Sequence, residues 1–237
     1  MVNLQIIELK SGEVNEVMTD TNEICIVILS GKCSIDIDHG CYLWSGLGNR
    51  NNVFEGTPDS VYVSRDTDVS IVSESDNFRA AIVSTEASTQ YAPFAISHDQ
   101  VTCEIRGNKE WKRSVYDILT TDHKVNSLIV GETIHTDGVW SGYPPHKHDS
   151  DNGDEESRNN EVYYVELEPE NAFAIFLQYG TDWKKATILN NRDSVLVEEG
   201  YHAVVSAGGA KFYYLWALDS SDHRFICKTD ESYSWVK

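Results

Sequence analysis

The sequence predicts a mainly β protein whose two halves resemble each other, and two observations carry this prediction. Almost every apolar segment is short, rich in Val, Ile and Tyr, and bounded by Gly, Asn, Asp or Ser, which is typical of strands. Each half contains a strand pair, a Gly-containing turn and further strands, which indicates a duplicated barrel or sandwich. The length of 237 residues suits one large domain or two of about 120 residues each.

The predicted strands of the first half cover residues 24–29, 33–37, 61–63, 69–72 and 80–83. A tight turn at Ser30 and Gly31 joins the first two of these strands. The predicted strands of the second half cover residues 128–135, 161–167, 174–179, 194–197, 202–205 and 212–218. Helix is scarce, and residues 112–119 are expected to form either a short helical turn or an edge strand.

A polar segment without a strong period, residues 86–108, separates the two halves. We therefore place a domain boundary near residue 105, with an N-terminal barrel over residues 1–105 and a C-terminal barrel over residues 106–237. The acidic segment 149–160 contains no apolar residue and is predicted to be a solvated loop.

The charge of the chain limits its partners. Asp and Glu number 38 against 19 Lys and Arg, so the formal net charge of −19 opposes binding to nucleic acid or to an anionic membrane. No apolar run approaches the ~18 residues of a membrane helix, and the N-terminus lacks an export signal, so a cytoplasmic protein is expected. The five cysteines form no CxxC pair and are expected to be reduced thiols.

The residues that carry chemistry are concentrated in the second half. His146 and His148 are separated by one residue in an extended, proline-preceded segment, so both imidazoles face one side of a strand while Lys147 faces the other. Glu161 opens a predicted strand, and His202 follows a Gly-Tyr turn. Three imidazole nitrogens and one carboxylate oxygen predict one divalent metal ion, with zinc favoured and manganese, iron, cobalt or nickel also suitable.

An isolated HxH pair beside an acidic loop is more often a chance surface feature. Here the pair, the strand-initial Glu161 and the turn-following His202 arrive in the order in which consecutive barrel strands would deliver them, which favours the metal site. His135 is interpreted as a hydrogen-bonded strand residue. No role is assigned to the remaining histidines, His39, His98, His123 and His223.

The longest motif is WSGYPPHKHD at residues 140–149, and shorter ones accompany it in both halves. These are EICIVILSG at 23–31, NVFEGTP at 52–58, EVYY at 161–164, GYH at 200–202 and YYL at 213–215. In these motifs and their order the chain resembles the 5-deoxy-glucuronate isomerase family of inositol catabolism, whose members are related to 5-keto-4-deoxyuronate isomerase. The resemblance implies an all-β fold of two cupin-type barrels, a bicupin.

The resemblance also implies an activity, the interconversion of an aldose and a ketose. It places His146, His148, Glu161 and His202 at the family's metal-ligand positions. The first barrel, residues 1–105, is expected to carry no metal, because its matching strands offer Ser34, Asp36 and Asp38 but no HxH pair. The reaction needs a group that moves a proton between neighbouring sugar carbons. Candidates are Glu156 and its neighbour Glu155 on the acidic loop, with Tyr163 or Tyr201 as proton donor. The partner is a small-molecule sugar, and the oligomeric state is left open, a homo-oligomer included.

Several positions depart from the family pattern and remove positive charge or an amide. Glu166, Glu198, Glu199 and Trp216 stand where the family would carry other groups. Arg113 has no evident place inside the barrel. The sequence therefore predicts weak recognition of a uronate carboxylate and better recognition of a neutral or differently placed acidic sugar, stacked against Trp216 or Trp140.

Two other functions remain open at this point. One is oxygen chemistry at an iron or manganese ion held by the same ligands. The other is a diverged cupin that binds a sugar or metabolite without turning it over.

Overall fold

The computed structural model describes residues 1–236, apart from the side chain of Glu110. Strands of the first part of the chain are β1 (Asn3–Leu9), β2 (Val14–Met18), β3 (Asn22–Ser30), β4 (Cys33–Ile37), β5 (Tyr42–Leu47), β6 (Ser60–Val63), β7 (Asp68–Ser73), β8 (Phe78–Glu86) and β9 (Phe94–Ile96). The later strands are β10 (Thr102–Arg106), β11 (Arg113–Leu119), β12 (Leu128–Thr136), β13 (Trp140–Lys147), β14 (Asn159–Glu168), β15 (Phe173–Tyr179), β16 (Lys184–Asn190), β17 (Ser194–Val197), β18 (Tyr201–Ser206), β19 (Lys211–Ser220) and β20 (Lys228–Thr229).

In the described part of the chain, helix is limited to two short 3-10 turns, η1 (Lys109–Trp111) and η2 (Glu231–Tyr233). Within residues 1–236, no helix has the length and apolar character that crossing a bilayer requires.

Every segment predicted as a strand forms one, and residues 33–37 and 194–197 have the predicted bounds. The ambiguous segment 112–119 forms strand β11. Sequence reasoning missed strands such as β2, β5 and β16, because most of their side chains are exposed and their sequences show no clear alternation of apolar and polar residues. An edge strand with one solvated face gives only a weak alternation signal.

The first compact unit consists of Met1–Thr102 together with Ile118–Leu128. Two antiparallel sheets form it, in the strand orders β1-β8-β3-β6-β9 and β2-β7-β4-β5. Apolar side chains from both sheets make its core, among them Ile26, Ile35, Val61 and Ile71. The central strand β3 is buried on both faces, which explains the unbroken apolar run at residues 24–29 within it.

The second compact unit consists of Cys103–Asp117 and residues 129–236. Its sheets have the strand orders β10-β11-β12-β19-β14-β17 and β16-β15-β18-β13-β20. The core again draws on both sheets, including Val165, Phe176, Val204 and Phe212. Because residues 118–128 pack with the first unit, the chain passes between the units more than once. The boundary near residue 105 stays a prediction about where independent domains would separate.

A buried carboxylate joins residues 118–128 to the first unit. The side chain of Glu23, on β3, is fully buried. Its two oxygens accept hydrogen bonds from the Tyr62 hydroxyl (2.7 Å) and from the backbone N–H groups of Asn126 (2.8 Å), Ser127 (2.6 Å) and Leu128 (2.8 Å). One side chain thus satisfies three backbone donors of this segment, that of buried Leu128 among them.

We expect Glu23→Ala to lower the free energy of unfolding by about 3 kcal/mol or more, because each buried donor left without an acceptor costs about 1–3 kcal/mol. Urea denaturation followed by fluorescence measures the change. The control is Glu16→Ala on β2, whose exposed carboxylate accepts from the Ser70 hydroxyl and should change stability by about 0.5 kcal/mol at most. Equal unfolding midpoints for the two variants would show that Glu23 does not hold this segment.

Candidate metal centre and its cavity

The two sheets of the second unit bring three histidines and one carboxylate together. His146 on β13 and His202 on β18 are directly opposite each other in the antiparallel pair, after a register shift that separates them from the pairing at Ser141. His148 follows β13 immediately. Glu161 lies on β14, in the facing sheet, and pairs with Val197. Side chains far apart in sequence therefore converge between the sheets.

The distances within this cluster are those of a ligand set. One ring nitrogen from each of His146, His148 and His202 lies within 4.8 Å of the other two. Glu161 Oε2 is 3.1 Å from His148 Nε2 and 3.4 Å from His202 Nε2. His148, Glu161 and His202 are buried, with exposed fractions of 2%, 3% and 0%. We refer to these four residues as the His-Glu cluster.

Backbone carbonyls fix the orientation of two imidazoles. Nδ1 of His148 lies 2.9 Å from the carbonyl oxygen of Asn159, and Nδ1 of His202 lies 3.3 Å from that of Gly200. When Nδ1–H donates to a carbonyl, the lone pair sits on Nε2, which here faces the centre of the cluster. Within residues 1–236, the buried Nε2 of His202 has no hydrogen-bond partner. A buried lone pair of this kind fits a metal ion.

The protonation states of the cluster follow from burial and mutual charge. Burial, helped by the neighbouring imidazoles, lowers the pKa of His146 to about 3, so this ring is neutral at pH 7. Burial by itself would raise the pKa of Glu161, but the neighbouring imidazoles of His148 and His202 outweigh it and lower that pKa to about 2. Glu161 in turn outweighs burial at His148 and raises the pKa of its ring. A metal would therefore compete with a proton at His148.

The acidic loop is more buried than its composition predicts. Glu156 is buried, and its Oε1 accepts hydrogen bonds from the backbone of Asp149 (2.8 Å) and Ser150 (3.0 Å) and from Lys147 Nζ (3.1 Å). Asp149 Oδ2 accepts from the backbone N–H of Gly200 at 2.7 Å. These contacts tie the segment after His148 to the turn before His202.

A cavity of about 220 Å³ lies beside the cluster within the second unit. Its lining residues are Arg106, Arg113, Val115, Thr133, Gly142, Tyr143, Pro144, His146, Glu161, Tyr163, Tyr214, Trp216, Phe225, Cys227 and Thr229. Of the predicted catalytic residues, Tyr163 is in this lining. Burial, and then the charge of Glu161, raise the pKa of its hydroxyl well above the usual value, so it stays protonated.

Glu156 and Tyr201, the other predicted catalytic residues, are not in the described lining of the cavity. Tyr201 stacks on Tyr179 with ring centroids 5.5 Å apart. Glu156 is held by the loop contacts given above, and its neighbour Glu155 is exposed. A catalytic role for these groups stays a prediction, while their observed contacts are structural.

The structure places several charged side chains differently, relative to the cavity, from what the sequence predicted. Arg113, for which no internal position was evident, lines the cavity. Glu198 and Glu199 are exposed, and Glu166 accepts a hydrogen bond from the Tyr164 hydroxyl at 3.1 Å. None of these three acids is in the described lining. The signal missed was strand β11, whose first residue is Arg113 and whose assignment was left open.

His135 differs from its interpretation as a hydrogen-bonded strand residue. It is buried on β12 against Phe212, with ring centroids 5.0 Å apart. Across the described chain, neither ring nitrogen has a hydrogen-bond partner. Burial lowers its pKa to about 3, so the ring behaves as a neutral core side chain.

Comparison with known proteins identifies relatives over almost the whole chain. The model of the KduI/IolB family matches residues 1–236. A 5-deoxy-glucuronate isomerase of Bacillus subtilis is 35% identical over 239 residues, which cover 99% of this chain and 87% of the relative. The enzyme of the same name from Geobacillus kaustophilus is 33% identical over 238 residues, covering 99% and 85%.

Solved structures agree with the fold. An IolB-like protein from Salmonella typhimurium has a TM-score of 0.95 at 28% identity, covering 99% of this chain and 89% of that one. An oxalate decarboxylase from Lactobacillus farciminis has a TM-score of 0.70 at 7% identity, covering 100% and 81%, and shows the fold alone. A cupin barrel protein from Leptotrichia buccalis reaches 0.50 at 14% identity, covering 92% and 84%. The predicted all-β, cupin-type fold is confirmed.

Proposed function

Because this chain belongs to the KduI/IolB family, we propose that it is a metal-dependent aldose–ketose isomerase that acts on 5-deoxy-glucuronate, a step of inositol catabolism. The observation that carries the proposal is the His-Glu cluster at the wall of a cavity large enough for a sugar. His146 and Glu161 belong both to the cluster and to the lining of the cavity. Groups bound to a metal there would meet the substrate directly.

We assign His146, His148, Glu161 and His202 as the ligands of one divalent metal ion. Three imidazole nitrogens and one carboxylate oxygen favour zinc, and manganese, iron, cobalt or nickel suit the same donors. The bound ion would supply Lewis-acid polarisation of the sugar carbonyl and its neighbouring hydroxyl. We propose no comparable site for residues 1–105, whose role is structural.

The chain's own residues provide proton transfer and a dry environment. The net reaction removes a proton from C2 of the aldose, delivers one to C1 and moves the carbonyl from C1 to C2. Tyr163, protonated and inside the cavity, suits the role of proton donor to the sugar oxygens. The Tyr214 hydroxyl lies 2.5 Å from the Ser141 hydroxyl, and this pair forms a second hydrogen-bonding group at the wall.

Aromatic side chains complete the cavity. Trp216 Nε1 donates to the Thr133 hydroxyl at 3.2 Å, and the indole stacks on Phe225 with ring centroids 6.1 Å apart. Both rings belong to the lining. Their position gives the sugar an apolar surface and restricts water near the reacting carbons.

The proposal is tested by an isomerisation assay of zinc-loaded protein on 5-deoxy-glucuronate beside a panel of neutral aldoses, with oxygen consumption recorded in parallel. We expect kcat/KM of about 10⁴ M⁻¹s⁻¹ or more on the uronate and no oxygen uptake. This differs from the weak uronate recognition expected from the sequence, because Arg113 lines the cavity and the three added acids are not in its described lining. Oxygen uptake by iron-loaded protein would indicate the oxygenase alternative. Sugar binding without conversion, with metal present, would indicate a binding protein instead.

We predict that Asp149→Ala weakens metal affinity about 10-fold to 100-fold, the usual effect of removing a group that orients metal ligands. The reason is the hydrogen bond from Gly200, which joins the segments that carry His148 and His202. Competition with a fluorescent zinc chelator measures the affinity. The control is Asp154→Ala, an exposed acid of the same loop, and equal zinc affinities for the two variants would contradict the prediction.

A further inference from the structure

We propose that Arg113 binds the carboxylate of the substrate and sets the preference of this enzyme for a uronate over the neutral sugar. This inference rests on the proposed isomerase function, and it adds the residue that recognises the end of the sugar opposite the reacting carbons. Three observations support it: the position of the guanidinium, the absence of a carboxylate partner among the described side chains, and the net charge of the chain.

The position of Arg113 suits a substrate contact. It is the first residue of β11 and lines the same cavity as His146 and Glu161. Its Nη1 donates to the carbonyl oxygens of Trp111 at 3.2 Å and Tyr143 at 3.5 Å. These contacts fix one edge of the guanidinium. An arginine has five N–H donors, so others remain to form a paired contact with a carboxylate.

The ion pairs of this region leave Arg113 without an acid. Among the side chains that the structure describes, no carboxylate pairs with Arg113. The neighbouring Arg106, also in the lining, contacts Glu104 at 2.6 Å and Asp117 at 3.6 Å. A half-buried cation without a counter-ion loses hydration and gains no charge partner in return. A ligand carboxylate would supply that partner.

The overall charge makes a local cation necessary for an anionic substrate. The chain carries a formal net charge of −19, which disfavours a uronate everywhere except near concentrated positive charge. The cations in the described lining are Arg106 and Arg113. The charge of Arg113 also reaches Tyr214 on the cavity wall, where it opposes the effect of burial on the pKa of that hydroxyl.

The experiment compares 5-deoxy-glucuronate with 5-deoxy-glucose, which has a hydroxymethyl group in place of the carboxylate. In the zinc-loaded Arg113→Met variant we expect KM for the uronate to rise about 10-fold to 100-fold, because a charge-assisted hydrogen-bond pair is lost. The KM for 5-deoxy-glucose should change less than about 3-fold. Arg113→Lys keeps the positive charge but loses the planar guanidinium with its paired donors. Its KM for the uronate should therefore lie between the values of wild type and Arg113→Met.

Arg158→Met is the matched control, because it removes an exposed arginine from the loop beside the site. Thermal unfolding and zinc content of each variant verify that the fold and the metal are retained. An unchanged KM for the uronate in Arg113→Met, or an equal loss for both sugars, would overturn the assignment of Arg113.

Calorimetric titration separates this inference from the proposed function, because it needs no turnover. We expect zinc-loaded wild type to bind the uronate more tightly than 5-deoxy-glucose, and Arg113→Met to lose that difference. If this contrast appears without any isomerisation, Arg113 is a carboxylate-binding residue and the proposed activity is wrong. If wild type binds the two sugars equally, the inference about Arg113 is wrong whatever the activity.

Discussion

His202→Ala is expected to remove the bound metal and to lower kcat/KM on 5-deoxy-glucuronate by about 1,000-fold or more, since losing a ligand costs more than the 10-fold to 100-fold effect of losing a group that orients one. His202 is fully buried, and its Nε2 lies 3.4 Å from Glu161 Oε2 with no hydrogen-bond partner among the described residues. Elemental analysis should find about one equivalent of metal in wild type and a small fraction of that in the variant.

His146→Ala should behave in the same way, because its ring lies against that of His202 with centroids 4.6 Å apart. The control is His39→Ala, in which an imidazole with a 92% exposed side chain is removed from the first unit. Unchanged metal content in both His146→Ala and His202→Ala would mean that the ion is held elsewhere, and the ligand assignment would then be wrong.

Tyr163→Phe should lower kcat by about 100-fold to 10,000-fold, the usual contribution of a positioned acid or base, while metal content stays at the wild-type level. The substitution keeps the ring, which packs against Phe176 and Tyr214, and removes the hydroxyl. Steady-state kinetics with the metal-loaded variant provides the measurement.

The same assay separates the three catalytic candidates that the sequence offers. Tyr201→Phe and Glu156→Gln alter groups that are not in the described lining of the cavity, so each should lower kcat less than Tyr163→Phe does. If Glu156→Gln abolishes turnover with metal retained, then the acidic loop supplies the proton-transfer group, and the role given to Tyr163 is mistaken.

Strands and site residues are predicted most reliably from the sequence where burial requires apolar residues in a fixed pattern. Strands β3 and β14 are buried on both faces, and both were recognised from their apolar runs. The His-Glu cluster was predicted for a similar reason: strand periodicity fixes which way His146 and His148 point. The structure then brings both to His202, as expected from the order of the strands.

Long-range packing supplies what the local pattern lacks. The cavity combines residues of strands as distant as β11 and β19, so no short motif identifies Arg113 or Tyr214 as members of its wall. The hydrogen bonds of Glu23 could not be predicted from local sequence either, because its partners at residues 126–128 lie more than a hundred residues away in sequence. The available signal for Glu23 was its place at the start of an apolar strand. A charged residue buried there needs several hydrogen-bond partners, so its position predicts that distant donors meet it.

The account depends most on metal-dependent isomerisation, which chelation followed by reconstitution tests on a single batch of protein. Conversion of 5-deoxy-glucuronate to the ketose should cease after the metal is removed, while circular dichroism verifies that the β structure remains. Addition of one equivalent of zinc, or of manganese, iron, cobalt or nickel in parallel samples, should restore it. Full turnover by the metal-free protein would contradict metal-dependent isomerisation. So would the absence of turnover in every parallel sample, each holding one equivalent of a single metal.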